Sequence, residues 1–349
     1  MATSATSRIR VVSLLPSLTD TICHLELQDL LVGRSHECEG LSTHHAEICT
    51  SSKIDEVIQS SEDIDAAHGS VSSALWSGVF DRSLPPEILI EWGLGVYRTN
   101  VEALRSLRPD IVLTQVQLAN DPDAKTKMEA ALRSFLGTPV QIFHSDPQRL
   151  EDVWLEIQAV ADLVGAPGRG HAGMTKLRQR ISAATAVAPA GQACKRVACV
   201  QWSSPLYVAS GYFTELIRLA GGKNAVDRVD VHSACMTDAE LEAAQPDILL
   251  YTVCSVPMTS VLESAREEIP RRFGRLTKAV AAVADGCRLF NRPGPLLVDT
   301  LEMLVELLHP VATPPSRHYA RSWCYVDKSL HDSAVQTASD LDGVMQYSI

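Results

Sequence analysis

The feature that most constrains this sequence is a helix-then-strand pattern that occurs twice. Residues 101–114 (VEALRSLRPDIVLT) pass from an amphipathic helix through a Pro-Asp break into an apolar, β-branched strand, and residues 238–251 (DAELEAAQPDILLY) follow the same plan. Apolar strands that alternate with helices are typical of parallel sheets whose faces are covered by helices. The repeat therefore predicts two α/β lobes of similar architecture, each Rossmann-like.

A helical stretch separates the two copies of the pattern. Between residues 147 and 185 apolar side chains recur at helical spacing, with an interruption at Gly165–Gly168. We interpret this stretch as one long helix or as two helices placed end to end. The predicted organisation is listed by residue number: flexible N-terminus 1–9, N-terminal lobe 10–146, linking helix 147–185, C-terminal lobe 186–310, weakly ordered C-terminal tail 311–349.

Composition excludes several classes of partner. The net charge is −11, which disfavours nucleic acid because phosphate binding needs a basic surface. No apolar run approaches the roughly 20 residues of a membrane helix, so we expect no membrane insertion. Nine cysteines, scattered and never spaced C-x-x-C, predict reduced thiols.

The apolar run Val11–Leu15 is too short for a signal-peptide core, so we expect a cytoplasmic protein.

Candidate ligand-binding loops follow the predicted strands. In open parallel sheets, ligands bind outside the carboxyl ends of the strands, and two facing lobes would place these loops around one cleft. One such loop, Asn291–Pro295, lies between a predicted strand at 286–290 and a strongly periodic helix. The candidate ligand-binding residues are Pro16, Ser17, Arg34, Ser35, His36, Glu37, Trp76, Gln115, Trp202, Tyr207, Asn291 and Arg292.

Different chemistry is expected of different members of this set. Arg34 and Arg292 carry fork-shaped donors suited to carboxylate, phosphate or amide oxygens. Several aromatic residues fall in or beside the same loops, and aromatic faces bury large flat ligands well. Core packing is the alternative for each of them. These aromatic residues are Trp76, Tyr97, Trp202, Tyr207, Tyr212 and Phe213. Ser17, by contrast, is expected to cap the helix that follows it.

Metal-ligand residue types are densest between residues 36 and 49. The five are His36, Cys38, His44, His45 and Cys49. Imidazole and thiolate together suit a structural zinc, whereas His36 alone suits an axial ligand to the metal of a bound cofactor. No nucleotide cofactor is expected, because the Gly-rich run 165–170 follows a helix rather than a strand. The Ser35 segment lacks the second glycine of a hydrolase nucleophile elbow.

Seven short motifs, taken together and in order, resemble one family. They are Val11–Ser17, Leu31–Cys38, Leu104–Val112, Pro205–Val208, Leu219–Gly222, Gln245–Ile248 and Phe290–Pro295. In this arrangement, which runs from about Arg10 to Pro310, the chain resembles BtuF-like cobalamin-binding proteins of the periplasmic-binding-protein type. The resemblance implies a class III fold, with two α/β lobes joined by a long helix.

The resemblance also implies a function. It implies non-enzymatic binding of a corrinoid, cobalamin, in the cleft between the lobes, with His36 within reach of the metal. Alternatives are a ferric siderophore or haem, or a small-metabolite enzyme that uses the Ser35-His36-Glu37-Cys38 loop. Transport members of this family deliver their ligand to an ABC permease. Since the sequence predicts no export signal, a permease partner is left open.

Overall fold

The structure is a computed structural model. It describes residues 8–38, 41–52, 97–115, 122–187, 194–226, 233–254, 256–276, 278–310 and 317–327. Trp76, one of the candidate residues, lies outside these ranges. In the described part of the chain, no helix is both long enough and apolar enough to cross a membrane.

The chain divides into two compact units. Unit 1 comprises Met1–Pro147 and Trp154–Met174, and unit 2 comprises Gln148–Val153 and Thr175–Ile349. The predicted linking segment is two helices rather than one, and each unit contains part of both. Gly165, with a φ of +74°, lies between the two helices in a left-handed conformation that glycine adopts at little cost. The helices therefore end and restart where the sequence pattern is interrupted.

Unit 1 is built on a parallel sheet of five strands in the order β3-β2-β1-β6-β7. A separate antiparallel pair, β4 and β5, lies in the same unit. The strands are β1 Val11–Ser13, β2 Leu31–Arg34, β3 Glu47–Ile48, β4 Thr50–Ser52, β5 Tyr97–Thr99, β6 Ile111–Thr114 and β7 Gln141–His144. The helices are α1 Pro16–His24, α2 Val101–Leu107, α3 Pro122–Leu136, α4 Leu150–Leu163 and α5 Pro167–Thr185, the last two shared with unit 2.

The core of unit 1 surrounds its central strands. Four side chains of these strands are fully buried: Val11 and Val12 on β1, and Val112 and Leu113 on β6. Full burial is expected for parallel strands covered on both faces. Leu104 of α2, also fully buried, packs in one cluster with Val12 and Val112. The strand-forming apolar runs of the sequence therefore form the centre of the sheet.

Unit 2 is built on a mixed sheet of seven strands. The main order is β11-β9-β8-β12-β13-β14, and β10 pairs with β8. The strands are β8 Arg196–Trp202, β9 Leu206–Ala209, β10 Lys223–Asn224, β11 Ser233–Met236, β12 Ile248–Tyr251, β13 Val280–Ala284 and β14 Trp323–Tyr325. The helices are α6 Tyr212–Leu219, α7 Asp238–Ala243, α8 Met258–Arg272 and α9 Leu297–Leu308.

One stretch of unit 2 differs from its sequence prediction. The predicted helix 272–283 is not formed: α8 ends at Arg272, and residues 280–284 form β13, which pairs in parallel with β12. The predicted strand 286–290 is a π-helical turn, Gly286–Phe290. A Cβ on Gly286 would lie 2.3 Å from the carbonyl oxygens of both Thr252 and Val253. Packing against the end of β12 thus fixes a turn where the apolar sequence suggested a strand.

The C-terminal region also differs from its prediction. Residues 317–327, predicted to belong to a weakly ordered tail, include β14, which pairs antiparallel with β13. Trp323 is 1% exposed, and its Nε1 donates to Glu306 Oε2 of α9 at 3.1 Å. Tyr319 and Tyr325 pack against the Trp323 ring. This segment is an edge strand of the unit 2 sheet.

Trp323→Ala tests whether this segment belongs to the core. Removing a fully buried indole leaves a cavity and an unpaired Glu306 oxygen, so we expect a loss of about 3–5 kcal/mol in the free energy of unfolding. Urea unfolding followed by circular dichroism measures it. Leu155→Ala, at a side chain 59% exposed, is the control and should change stability by less than about 0.5 kcal/mol. Equal small effects of both variants would contradict the assignment.

Candidate functional site

In unit 1 the first candidate loop joins β1 to α1. Pro16 occupies the first helical turn, and Leu15 before it is extended, as a residue preceding proline prefers. Ser17 lies one residue inside the helix and makes no capping hydrogen bond, so its predicted capping role is wrong. Ser17 is 1% exposed, and its hydroxyl has no hydrogen-bond partner among the described residues.

Arg34 ends β2 and turns inward rather than outward. The side chain is 9% exposed, and Nη1 donates to the carbonyl oxygens of Ser35 at 3.3 Å and Cys38 at 2.8 Å. These contacts hold the Arg34–Cys38 turn in shape. The predicted bond from Arg34 to a ligand oxygen therefore competes with a structural role, and the buried Nε has no hydrogen-bond partner in the described region.

His36 is held by a threonine that lies 14 residues further along the chain. Thr50 Oγ1 accepts from the His36 backbone N–H at 3.0 Å, and it lies 2.7 Å from His36 Nδ1. The same hydroxyl donates to Ser35 Oγ at 3.1 Å. Because the single hydroxyl proton is used on Ser35, this pattern assigns Nδ1 of His36 as a donor to Thr50. Nε2 then carries the lone pair, the form in which imidazole binds metals.

A tyrosine and a glutamate complete the surroundings of His36. The Tyr97 ring meets the imidazole edge to face, with the ring centroids 5.0 Å apart. Tyr97 Oη donates to Glu37 Oε2 at 2.6 Å. Burial lowers the pKa of His36, and the nearby Glu37 charge opposes this effect in part. The imidazole is therefore neutral at pH 7.

The other members of the predicted zinc cluster point to different partners. Cys38 Sγ donates to Thr19 Oγ1 at 3.0 Å, and His45 Nε2 lies 3.1 Å from the carbonyl oxygen of Gln28. Cys49 is fully buried, and burial, followed by the Glu47 charge, raises its pKa to about 12. In the described residues these five side chains form no metal-binding group, so the zinc alternative is wrong.

In unit 2 the aromatic candidates Trp202 and Tyr207 lie on a β-hairpin. Trp202 is the last residue of β8 and pairs with Tyr207 of β9 across the turn Ser203–Pro205. Both side chains are half-buried. Tyr212 and Phe213, flagged with them, are instead buried, and Phe213 stacks on Phe290 with ring centroids 5.8 Å apart. Core packing is the correct interpretation for that second pair.

Asn291 joins three parts of unit 2 through its side-chain amide. Nδ2 donates to the carbonyl oxygens of Gly286 at 2.7 Å and Thr252 at 3.3 Å. Oδ1 accepts from Gln201 Nε2 at 3.1 Å. The two amide protons and the amide oxygen are thus all used within the protein. Asn291 supports the loop, and its contact with a ligand stays a prediction.

The two remaining candidates differ in exposure. Arg292, predicted to face the ligand, is 6% exposed. Gln115 is half-buried and follows β6 directly, at the same carboxyl edge of the sheet as Arg34. The role of both residues in ligand binding stays a prediction.

One group of metal-ligand types was not predicted. In the part of the chain that is described, Asp299, Glu302 and His318 bring three ligand atoms within 4.8 Å of one another. Arg180 pairs with both carboxylates, at 3.0 Å and 2.8 Å. Burial opposes ionisation of Glu302, but hydrogen bonds from His318 and Arg180 lower its pKa to about 2. With a guanidinium on both carboxylates, the group is an ion-pair network rather than a cation site.

The sequence of the chain matches a known family. Residues 94–282, more than half of the 349, match the family described as Periplasmic binding protein. The chain belongs to the periplasmic binding protein family. This family consists of substrate-binding proteins rather than enzymes, which confirms the non-enzymatic prediction and removes the metabolite-enzyme alternative.

Relatives and solved structures agree with this membership. Vitamin B12-binding proteins of Yersinia pestis (strain Pestoides F) and Yersinia pseudotuberculosis (serotype O:1b) are both 23% identical over 217 residues, 62% of this chain and 71% of theirs. The vitamin B12 binding protein of Vibrio cholerae has a TM-score of 0.57 at 18% identity, covering 87% of this chain and 97% of that one.

A heme-binding structure is equally similar. The periplasmic heme binding protein of Vibrio cholerae has a TM-score of 0.60 at 16% identity, covering 87% of this chain and 100% of that one. At such identities a structural likeness shows the fold alone. The predicted family and the predicted class III α/β fold of this periplasmic binding protein are both confirmed.

Asn291→Ala tests the structural role of this amide. Three hydrogen bonds are lost and Gln201 is left without its acceptor, so we expect about 2–4 kcal/mol lower stability. Urea unfolding measures the change, and Gln179→Ala, on an exposed position of α5, is the control. An Asn291→Ala variant with wild-type stability and weakened ligand binding would support the ligand-facing interpretation.

Proposed function

We propose that this periplasmic binding protein binds a corrinoid, cobalamin, without changing it chemically. The observation that carries the proposal is the sequence match of 217 residues to proteins named for vitamin B12 binding. That match spans 71% of the relative, so it extends over most of a binding protein rather than one motif. The flat macrocycle would lie against aromatic faces at the strand ends.

The loop that contains His36 supports a role for this residue at the metal. The imidazole is neutral at pH 7, and its Nε2 carries the lone pair because Thr50 holds Nδ1. We propose His36 as an axial ligand to the metal of the bound cofactor. Soft and borderline metals such as cobalt and iron accept imidazole in this position.

Haem is the second candidate ligand, and one observation favours it. His36 and Tyr97 lie side by side, with ring centroids 5.0 Å apart, and both imidazole and phenolate ligate haem iron in proteins. Solved heme-binding proteins also share this fold. A ferric siderophore is the third candidate, but no contact in the described residues favours it. In each case the protein would supply binding and orientation while the ligand supplies the metal.

Titration of the purified protein with aquocobalamin, haemin and a ferric siderophore tests the proposal. We expect cobalamin to bind with a dissociation constant below about 10 μM and to shift its visible spectrum as imidazole replaces the cobalt-bound water. Tighter binding of haemin would select the second candidate. If none of the three binds below high micromolar concentration, the proposed function is wrong.

His36→Ala is the matched test of the metal contact. We expect the visible shift to disappear in this variant and to persist in His44→Ala, an exposed histidine of the same region. Because the pKa of His36 is lowered, the wild-type shift should persist as pH falls below about 6.5, and it should fade only when the imidazole is protonated. An unchanged spectrum in His36→Ala would exclude His36 as the axial ligand.

A further inference from the structure

Arg272 of unit 2 contacts three separate elements with one guanidinium. It lies in the last turn of α8, and its Nη1 donates to the carbonyl oxygen of Ser203, in the hairpin turn, at 2.5 Å. Nε and Nη2 bind the two carboxylate oxygens of Asp238, at 3.0 Å and 2.5 Å. Nη1 also donates to Glu268, one turn earlier in α8. We call these four residues the Arg272 clamp.

The geometry of the clamp requires arginine. Two parallel bonds to one carboxylate and two further bonds to a carbonyl and a second carboxylate use a planar fork of donors. A lysine at this position would offer one ammonium group and could not span the three elements at once. The Arg272 side chain is 18% exposed and Glu268 13%, whereas Asp238 is 42% exposed, so the Glu268 pair is screened less by water than an ordinary surface pair.

The clamp acts on the turn that connects the two aromatic candidates. Ser203 directly follows Trp202, and the turn leads into β9, which contains Tyr207. On its other side β9 pairs with β11, which runs into α7 through Thr237. Asp238 begins α7, and Thr237 caps that helix with a capping box. The guanidinium thus ties the hairpin turn to the rigid start of α7.

We propose that Arg272 is a positioning residue for ligand binding, which holds the Trp202–Tyr207 hairpin in the conformation that meets the ligand. The inference rests on the proposed function, because it assumes that the ligand contacts this hairpin. Arg272 itself touches the turn and not the ligand. Its effect on affinity is therefore transmitted through the two aromatic residues.

Arg272→Met and Arg272→Lys test the role, with Arg271→Met, at an exposed neighbour on the same helix, as the control. We expect both Arg272 variants to bind cobalamin or haemin about tenfold more weakly, and Arg271→Met to bind within about twofold of wild type. Glu268→Gln keeps the shape of the clamp and removes one charge, so its effect should be smaller.

A double-mutant cycle with Tyr207→Ala separates positioning from general destabilisation. If Arg272 acts through the hairpin, Arg272→Met should weaken binding little further once Tyr207 is removed. Additive losses, or wild-type affinity in Arg272→Met, would overturn the proposal. Circular dichroism checks that each variant is folded.

Hydrogen exchange distinguishes failure of this inference from failure of the proposed function. In unliganded protein, the peptide covering residues 202–207 should exchange faster in Arg272→Met than in Arg271→Met, while exchange in unit 1 is unchanged. If no ligand binds the wild type but exchange changes as expected, the proposed function fails and the clamp stands. Unchanged exchange in the hairpin would overturn the clamp whatever the ligand result.

Discussion

The carboxyl ends of the unit 2 strands depend on one side-chain amide. Asn291 bonds to the end of β12 through Thr252, to the π-helical turn through Gly286 and to β8 through Gln201. A half-buried amide with both its nitrogen and its oxygen hydrogen-bonded favours one arrangement of its neighbours, because another arrangement would leave these polar groups unpaired. The hairpin with Trp202 and Tyr207 begins one residue after Gln201, so its position follows from this arrangement.

In unit 1, hydroxyl groups hold a candidate ligand-binding residue in place. The Thr50 hydroxyl accepts hydrogen bonds from the backbone and the ring of His36 and donates one to Ser35. The imidazole is fixed in orientation and protonation before any ligand arrives, which reduces the ordering cost of binding. His36 in unit 1 and Trp202 and Tyr207 in unit 2 are half-buried side chains.

Much of this fold follows from sequence, since buried parallel strands are apolar runs with helices between them. The Pro-Asp repeat correctly located β6 and β12. Other features depend on contacts distant in sequence, such as the turn at Gly286, which packs on carbonyl groups about 33 residues earlier. Asn291 was predicted to face a ligand because its loop follows a strand. The local sequence does not reveal that Gln201, 90 residues away, donates a hydrogen bond to the amide oxygen of Asn291. Nor does it reveal that Thr50 orients His36.

The most direct test of corrinoid binding is anomalous X-ray diffraction at the cobalt absorption edge, from crystals grown with aquocobalamin. The account predicts one strong cobalt peak at coordination distance from His36 Nε2, beside the Arg34–Cys38 turn. A peak beside this turn without imidazole coordination would support corrinoid binding and remove the axial role of His36. A peak at the opposite, amino-terminal edge of a sheet, or no ordered cobalt despite saturating ligand, would contradict the central claim.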